Sequence, residues 1–148
     1  MAGEVTPHEL VKVWEEHTRR EFVEKDVEAT LATMTEDTSV WIIPLNVGGR
    51  GKDGVRAFYR DVLTPTVPED MQVVLLNRVV GERHVVDEIR FTFMHNKQMD
   101  WILPKVPATN RRIELDHVVV VEFRGDKIAA ERVYWDQATV LRQAGLLK

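Results

Sequence analysis

Residues 118–141 read VVVVEFRGDKIAAERVYWDQATVL, and the fold turns on how this stretch divides. The β-branched run 118–123 has strand composition, RGDK (124–127) is a tight turn, and IAAERVYW (128–135) is a second strand. QATVLRQAGLL then closes the chain as a helix. The stretch is a hairpin feeding a helix. Along the second strand Glu131, Val133 and Trp135 share one face, while Arg132, Tyr134 and Asp136 share the other. Asp136 directly precedes the helix, where an aspartate accepts hydrogen bonds from the backbone N–H of Ala138 or Thr139, a capping role of about 1 kcal/mol.

Working back from the hairpin, the chain is β from residue 71 onward. MQVVLLNRVV (71–80), HVVDEIRFTFMH (84–95), QMDWIL (98–103) and RRIELDHVVVVEF (111–123) all have strand composition. Before residue 71 it is helical. Thr6, Pro7 and Glu9 form the start signature of a helix, and Leu10, Val13, Trp14 and His17 follow as one stripe. Asp26 is placed to cap a second helix with the stripe Val27, Leu31 and Met34. TSVWIIPL (38–45) reads as a short strand and NVGGRGKDG (46–54) as a turn-rich loop. Asp53 then caps a third helix through Val55, Phe58, Tyr59 and Val62, broken by LTPTVPED. Helices first, then long antiparallel strands, indicate an α+β fold with a curved sheet folded over helices. The expectation is a single domain over residues 1–148, without repeats or linkers.

Composition narrows the function classes. The chain has 148 residues, 44% of them hydrophobic and 30% charged, as in ordinary globular proteins. A net charge of −4 gives no reason to expect nucleic acid or an anionic membrane as partner. With no cysteine, disulfides, thiolate metal sites and a cysteine nucleophile are excluded. Ser39 is the only serine, which argues against a serine nucleophile. MAGEVTPHELVKVWEEH is polar and acidic, unlike a signal peptide, so a cytoplasmic location is expected. GGRGKDG has neither P-loop spacing nor a long buried strand before it.

The long strand and hairpin VVVVEFRGDKIAAERVYWDQATVL, after helices of this type, resemble the nuclear transport factor 2-like superfamily, and within it the SnoaL-like, polyketide cyclase-like branch. GGRGKDGVRAFYRD, DWILPKVPATNRR and YWDQATVLRQAGLL carry the likeness, which spans essentially the whole chain. It implies a cone: a strongly bent antiparallel sheet around a long helix, a mostly apolar pocket, and a homodimer formed through the outer sheet face. Family members include isomerases, dehydratases, epoxide hydrolases, aldol-type cyclases and non-catalytic binding or assembly domains, so the fold alone leaves the chemistry open. The cavity-facing aspartate of the cyclases and epoxide hydrolases falls on Val133 here. An asparagine on the first strand of the epoxide hydrolases falls on Ile42, and their Arg-x-Asp pair falls on Ile89 and Phe91. Every departure runs from polar to apolar.

Under that orientation Glu131, Val133 and Trp135 face the cavity, and Glu131 is the carboxylate available for chemistry. His117 interrupts an apolar row of Ile113, Leu115, Val119, Val121 and Phe123, and the same orientation turns this row toward the pocket. An even hairpin register sets His117 opposite Tyr134, so a bulge at the Gly125–Asp126 turn is needed to bring it toward Glu131. The two then make an acid–base pair, with His117 as the general acid or base. The alternative is a core histidine bonded to Tyr134 or a backbone carbonyl. His95, ending the row Ile89, Phe91, Phe93, and Asp100, beside Trp101, are secondary catalytic candidates. His95 also fits a strand end emerging into water, and Trp101 a structural lid. Ligand contacts are expected from His17, Trp14, Trp41, Phe91, Phe93, Trp101, Val133 and Trp135, though the tryptophans and His17 equally suit a core. A metal cluster of His17, His95, His117 and Glu131 lacks any ligand-spacing motif and is not expected.

The chemistry expected is therefore cofactor-independent proton transfer on an apolar ring- or carbonyl-containing small molecule, as isomerase, dehydratase or aldol-type cyclase. A non-catalytic ligand-binding or dimeric assembly domain is the alternative.

Overall fold

A computed structural model describes residues 4–147. The first helix, α1 (Pro7–Thr18), starts at a complete capping box: Thr6 Oγ1 accepts from the Glu9 N–H at 3.2 Å and the Glu9 carboxylate accepts from the Thr6 N–H. It continues into a π-helical turn at Arg19–Val23, closed by the Glu24 N–H donating to the Arg19 carbonyl. Asp26 caps α2 (Val27–Leu31), as expected. A short hairpin follows, β1 (Ser39–Ile42) and β2 (Val47–Arg50). The expected loop 46–54 is thus partly strand, and α3 (Gly51–Phe58) begins directly after it, with Arg50 rather than Asp53 at the cap position. A second π-helical turn, Tyr59–Leu63, extends α3.

Four strands then complete the sheet: β3 (Gln72–Val80), β4 (His84–Met94), β5 (Arg112–Arg124) and β6 (Lys127–Trp135), before α4 (Gln137–Gln143). Asp136 caps α4 through the Ala138 N–H at 3.0 Å. The sheet order is β2-β1-β6-β5-β4-β3. All neighbours are antiparallel except β1 and β6, which run parallel. Those two are joined by most of the chain, so no hairpin dictates their relative direction. QMDWIL, expected as a strand, is a looped segment instead. Asp100 holds it in a turn by accepting from the Lys105 N–H and the Gln98 amide, both at 2.9 Å.

Alternation along the strands sets one face against α1 and α3. Val85, Asp87, Ile89, Phe91 and Phe93 are buried in β4, and Ile113, Leu115, His117, Val119 and Val121 in β5. The β5–β6 hairpin carries a bulge, at Ala129 rather than at the Gly125–Asp126 turn: Glu122 pairs with Ala130 but Phe123 with Ile128. The bulge changes the phase of β6, so that Ile128 and Glu131 are both buried. No helix among the described residues is long and apolar enough to cross a membrane.

Candidate active site

The helices do not fill the cone. A cavity of about 790 Å³ remains between α1 with its π turn, the inner faces of β3–β6 and the loop at Trp101. Ile42, Ile89, Phe91 and Val133 all line it, so the sheet wall is apolar at these four positions. Polar groups reach the cavity from both layers: Glu21 from the π turn after α1, and Asp87, His117 and Glu131 from the sheet.

His17 is completely buried on α1. Its Nδ1 is 2.7 Å from Thr33 Oγ1, and that hydroxyl donates onward to the Thr30 carbonyl, so Thr33 receives the Nδ1 proton. The opposite nitrogen, Nε2, lies 3.2 Å from Glu21 Oε2 and 3.2 Å from Glu131 Oε2. Tyr59, also buried, donates its hydroxyl to Glu131 Oε2 at 3.2 Å and stands 3.4 Å from His17 Nε2. Glu21 and Glu131 reach the cavity wall, while His17 and Tyr59 stand behind them.

Burial alone would lower the His17 pKa, but the carboxylates of Glu131 and Glu21 outweigh it and raise the imidazole to about 10. Burial pushes Glu21 up from the carboxylate range; the His17 charge opposes this and the Glu131 charge adds to it. Tyr59 is driven well above its ordinary value by burial and by both carboxylates. At neutral pH His17 is thus an imidazolium set, with the Tyr59 phenol, against Glu131, beside a carboxyl whose pKa burial raises.

Trp14 stacks on His17 with ring centroids 5.3 Å apart and donates its indole N–H to Asp87 at 2.8 Å. Asp87, itself buried, is held by a two-pronged ion pair with Arg78, at 2.7 and 2.9 Å. This network fixes the indole that fixes the imidazole.

The expected pair of His117 and Glu131 is not formed. The bulge turns both side chains to the same face, but His117 pairs with Trp135 and Glu131 with Val121, four residues further along β6. His117 is not bonded to Tyr134 either: it lines the cavity, packs on Phe91 at a centroid distance of 4.3 Å, and its buried Nδ1 has no partner. His95 lies outside the cavity lining and is tied to Thr109 through Nδ1 at 2.8 Å. Asp100 is occupied in its turn. Trp41 faces the other side of the sheet, bonded to Asn46 and covered by the Arg50 guanidinium at 3.7 Å. Phe93 is core, whereas Trp14, Phe91, Trp101, Val133 and Trp135 do line the cavity. Among the described residues, the ligand atoms that lie within 4.8 Å of one another belong to His17, Glu21 and Glu131.

Glu21 and Tyr59 escaped the sequence reading. Glu21 sits one turn beyond His17 on the same stripe, and an acid following a buried histidine at that spacing was the available signal. Tyr59 passed as one more member of an apolar stripe. Both belong to π-helical turns, a feature frequent at functional sites but without a sequence signature here.

Comparison with known proteins agrees with this architecture. The chain superposes on a putative SnoaL-like polyketide cyclase from Jannaschia sp. CCS1 with a TM-score of 0.79, at 15% identity over 100% of this chain and 99% of that one. TsrD from Streptomyces laurentii gives 0.74, at 22% identity over 97% and 100%. An NTF2-like protein from Burkholderia xenovorans LB400 gives 0.70, at 20% identity over 95% and 98%. At such identities the likeness shows the fold alone. No curated protein matches the sequence. The model of the SnoaL-like domain matches residues 14–131, from Trp14 on the cavity wall to Glu131 within the cluster, and the chain belongs to that family.

Proposed function

We propose that the protein is an acid–base enzyme that moves a proton at a carbon adjacent to a carbonyl, in an apolar small molecule held in the cavity. The observation that carries this reading is two carboxyl groups, Glu21 and Glu131, on the cavity wall, bridged from behind by one buried imidazole. Glu131 is the base. It takes the proton as the C–H bond breaks, and the electron pair moves onto the carbonyl oxygen. Glu21, whose pKa is raised by burial, is the acid for that oxygen. Returning the proton to a different carbon isomerises the ligand. Loss of a neighbouring hydroxyl dehydrates it, and attack on a second carbonyl closes a ring. All three reactions share the first step. His17 and Tyr59 touch no ligand and position Glu131.

Proton–deuterium exchange tests this directly. A panel of aryl and alicyclic ketones is incubated in D₂O with the protein, and loss of the α-proton NMR signal is followed. The wild type is expected to exceed the buffer rate, and Glu131→Gln to lose about 10²- to 10⁴-fold. Equal rates for both proteins and for buffer would leave the second reading, a non-catalytic ligand-binding domain. That reading is favoured by one feature: both His17 nitrogens are already satisfied by protein groups.

We infer in addition that two copies pair through the outer sheet face. Val79, Val86 and Val120 are in cross-strand register there, as are Val118 and Tyr134, forming an apolar strip on the side away from the cavity. Sedimentation equilibrium is expected to show a dimer, and a monomer at micromolar concentration would refute it.

A further inference from the structure

The cavity has a second polar point that the cluster does not use. His117 is only 6% exposed, yet it lines the cavity and its buried Nδ1 has no hydrogen-bond partner among the described residues. Its surroundings are apolar. Ile89 and Trp135 flank it across the sheet, Phe91 lies against its ring, and Trp101 meets Phe91 edge-on at 6.5 Å. A buried polar group without a partner is costly, and this one opens onto space large enough for a ligand. Four residues of β6 separate the cross-strand partner of His117 from Glu131, roughly 13 Å at about 3.3 Å per residue.

We propose that His117 is the distal anchor of the site, binding a neutral hydroxyl or carbonyl oxygen at the far end of an elongated, ring-containing ligand whose reacting carbonyl lies at Glu131. The aromatic groups around His117 take the ring that carries this oxygen, and Val133 and Val119 line the middle of the span. The imidazole is uncharged at neutral pH: burial lowers its pKa to about 4, with Asp116, the Leu115 backbone and Asp87 opposing only in part. A neutral imidazole offers one donor and one acceptor, which suits a hydroxyl and gives no charge to a carboxylate.

The inference rests on the proposed function only for the end at which the reacting carbonyl sits. Its test is calorimetric titration of three probes: para-acetylbiphenyl, the same ketone with a hydroxyl at the far para position, and the same ketone with a carboxylate there. Wild type is expected to bind the hydroxyl probe about tenfold more tightly than the parent, the gain of one buried hydrogen bond. The carboxylate probe is expected to bind more weakly than either. His117→Phe should abolish the hydroxyl preference while still binding the parent, and His117→Gln should restore part of it. In ¹⁵N spectra, the hydroxyl probe should move the His117 ring signals and the parent should not. An unchanged preference in His117→Phe, or no binding of any probe by wild type, overturns the proposal. Absence of deuterium exchange with the His117 preference intact would instead count against Glu131 as base alone.

Discussion

The Nε2 of His17 and the Oε2 of Glu131, brought together from α1 and β6, lie 3.2 Å apart with both residues buried. This contact joins the two halves of the architecture. One partner comes from the first helix, the other from the last strand, and both are nearly or fully buried. In such surroundings a charge is tolerated only when matched. The imidazolium of His17 faces the carboxylate it supports, and Glu21 competes for the same nitrogen.

Removing one of those carboxylates should therefore be visible on the histidine. In Glu131→Gln the burial of His17 is unchanged while its largest opposing charge is lost, so its pKa is expected to fall well below about 10. A histidine NMR titration checks this. A His17 signal that stays protonated throughout the titration in both proteins would show that Glu21 alone holds the charge.

Tyr59→Phe removes the phenol that donates to Glu131 and leaves the ring in place. A carboxylate that loses one of its buried donors becomes a stronger base but a less well-aimed one. The expected stability cost is about 1–3 kcal/mol by urea denaturation, since a charged group loses a hydrogen bond. Deuterium exchange should slow, with a shifted pH profile. An unaltered profile would confine Tyr59 to a packing role.

The fold was largely legible because its signals are local. The capping box at Thr6, the cap at Asp136, the alternation in β4 and β5 and the bulged hairpin all depend on residues close in sequence. The site was legible only in part. Glu131 does line the cavity, but its contact with His17 depends on where β6 meets α1, a relation that no stretch of sequence encodes. A bulge was expected at the Gly125–Asp126 turn and lies at Ala129, and the cross-strand partner of His117 is still four residues from Glu131, because facing inward and lying opposite are separate conditions. QMDWIL failed for another reason. Its β-like composition reflects Met99, Trp101, Ile102 and Leu103 sealing the core from a loop.

The ion pair of Arg78 and Asp87 supports the indole that stacks on His17. Arg78→Met leaves a nearly buried carboxylate held only by the Trp14 N–H, and a broken buried pair costs about 3–5 kcal/mol. The double variant Arg78→Met, Asp87→Leu should recover most of that loss, because no charge is left behind. Urea midpoints at neutral pH measure both. A double variant no more stable than the single one would mean that the indole N–H, orphaned without Asp87, carries the larger share.

His117 should give the protein a distinct sensitivity to acid. Its pKa is lowered in the folded state, from an ordinary 6.5 to about 4, so the folded protein binds fewer protons than the unfolded chain between those values. Stability therefore rises with pH across that window, and it is lost as the pH falls from 6.5 toward 4. Below the folded value the loss is complete; above 6.5 the group contributes no dependence. The full shift corresponds to roughly 3 kcal/mol, taking about 1.4 kcal/mol per pKa unit. His17 has the opposite sign: its stabilisation is present in full below 6.5 and disappears as the pH rises through about 10. Denaturant titrations of wild type and His117→Phe between these limits separate the two. The variant is expected to keep the alkaline decline and to lose much of the acid one. An acid limb identical in both proteins would mean that His117 takes up its proton without penalty, by turning toward water in the cavity.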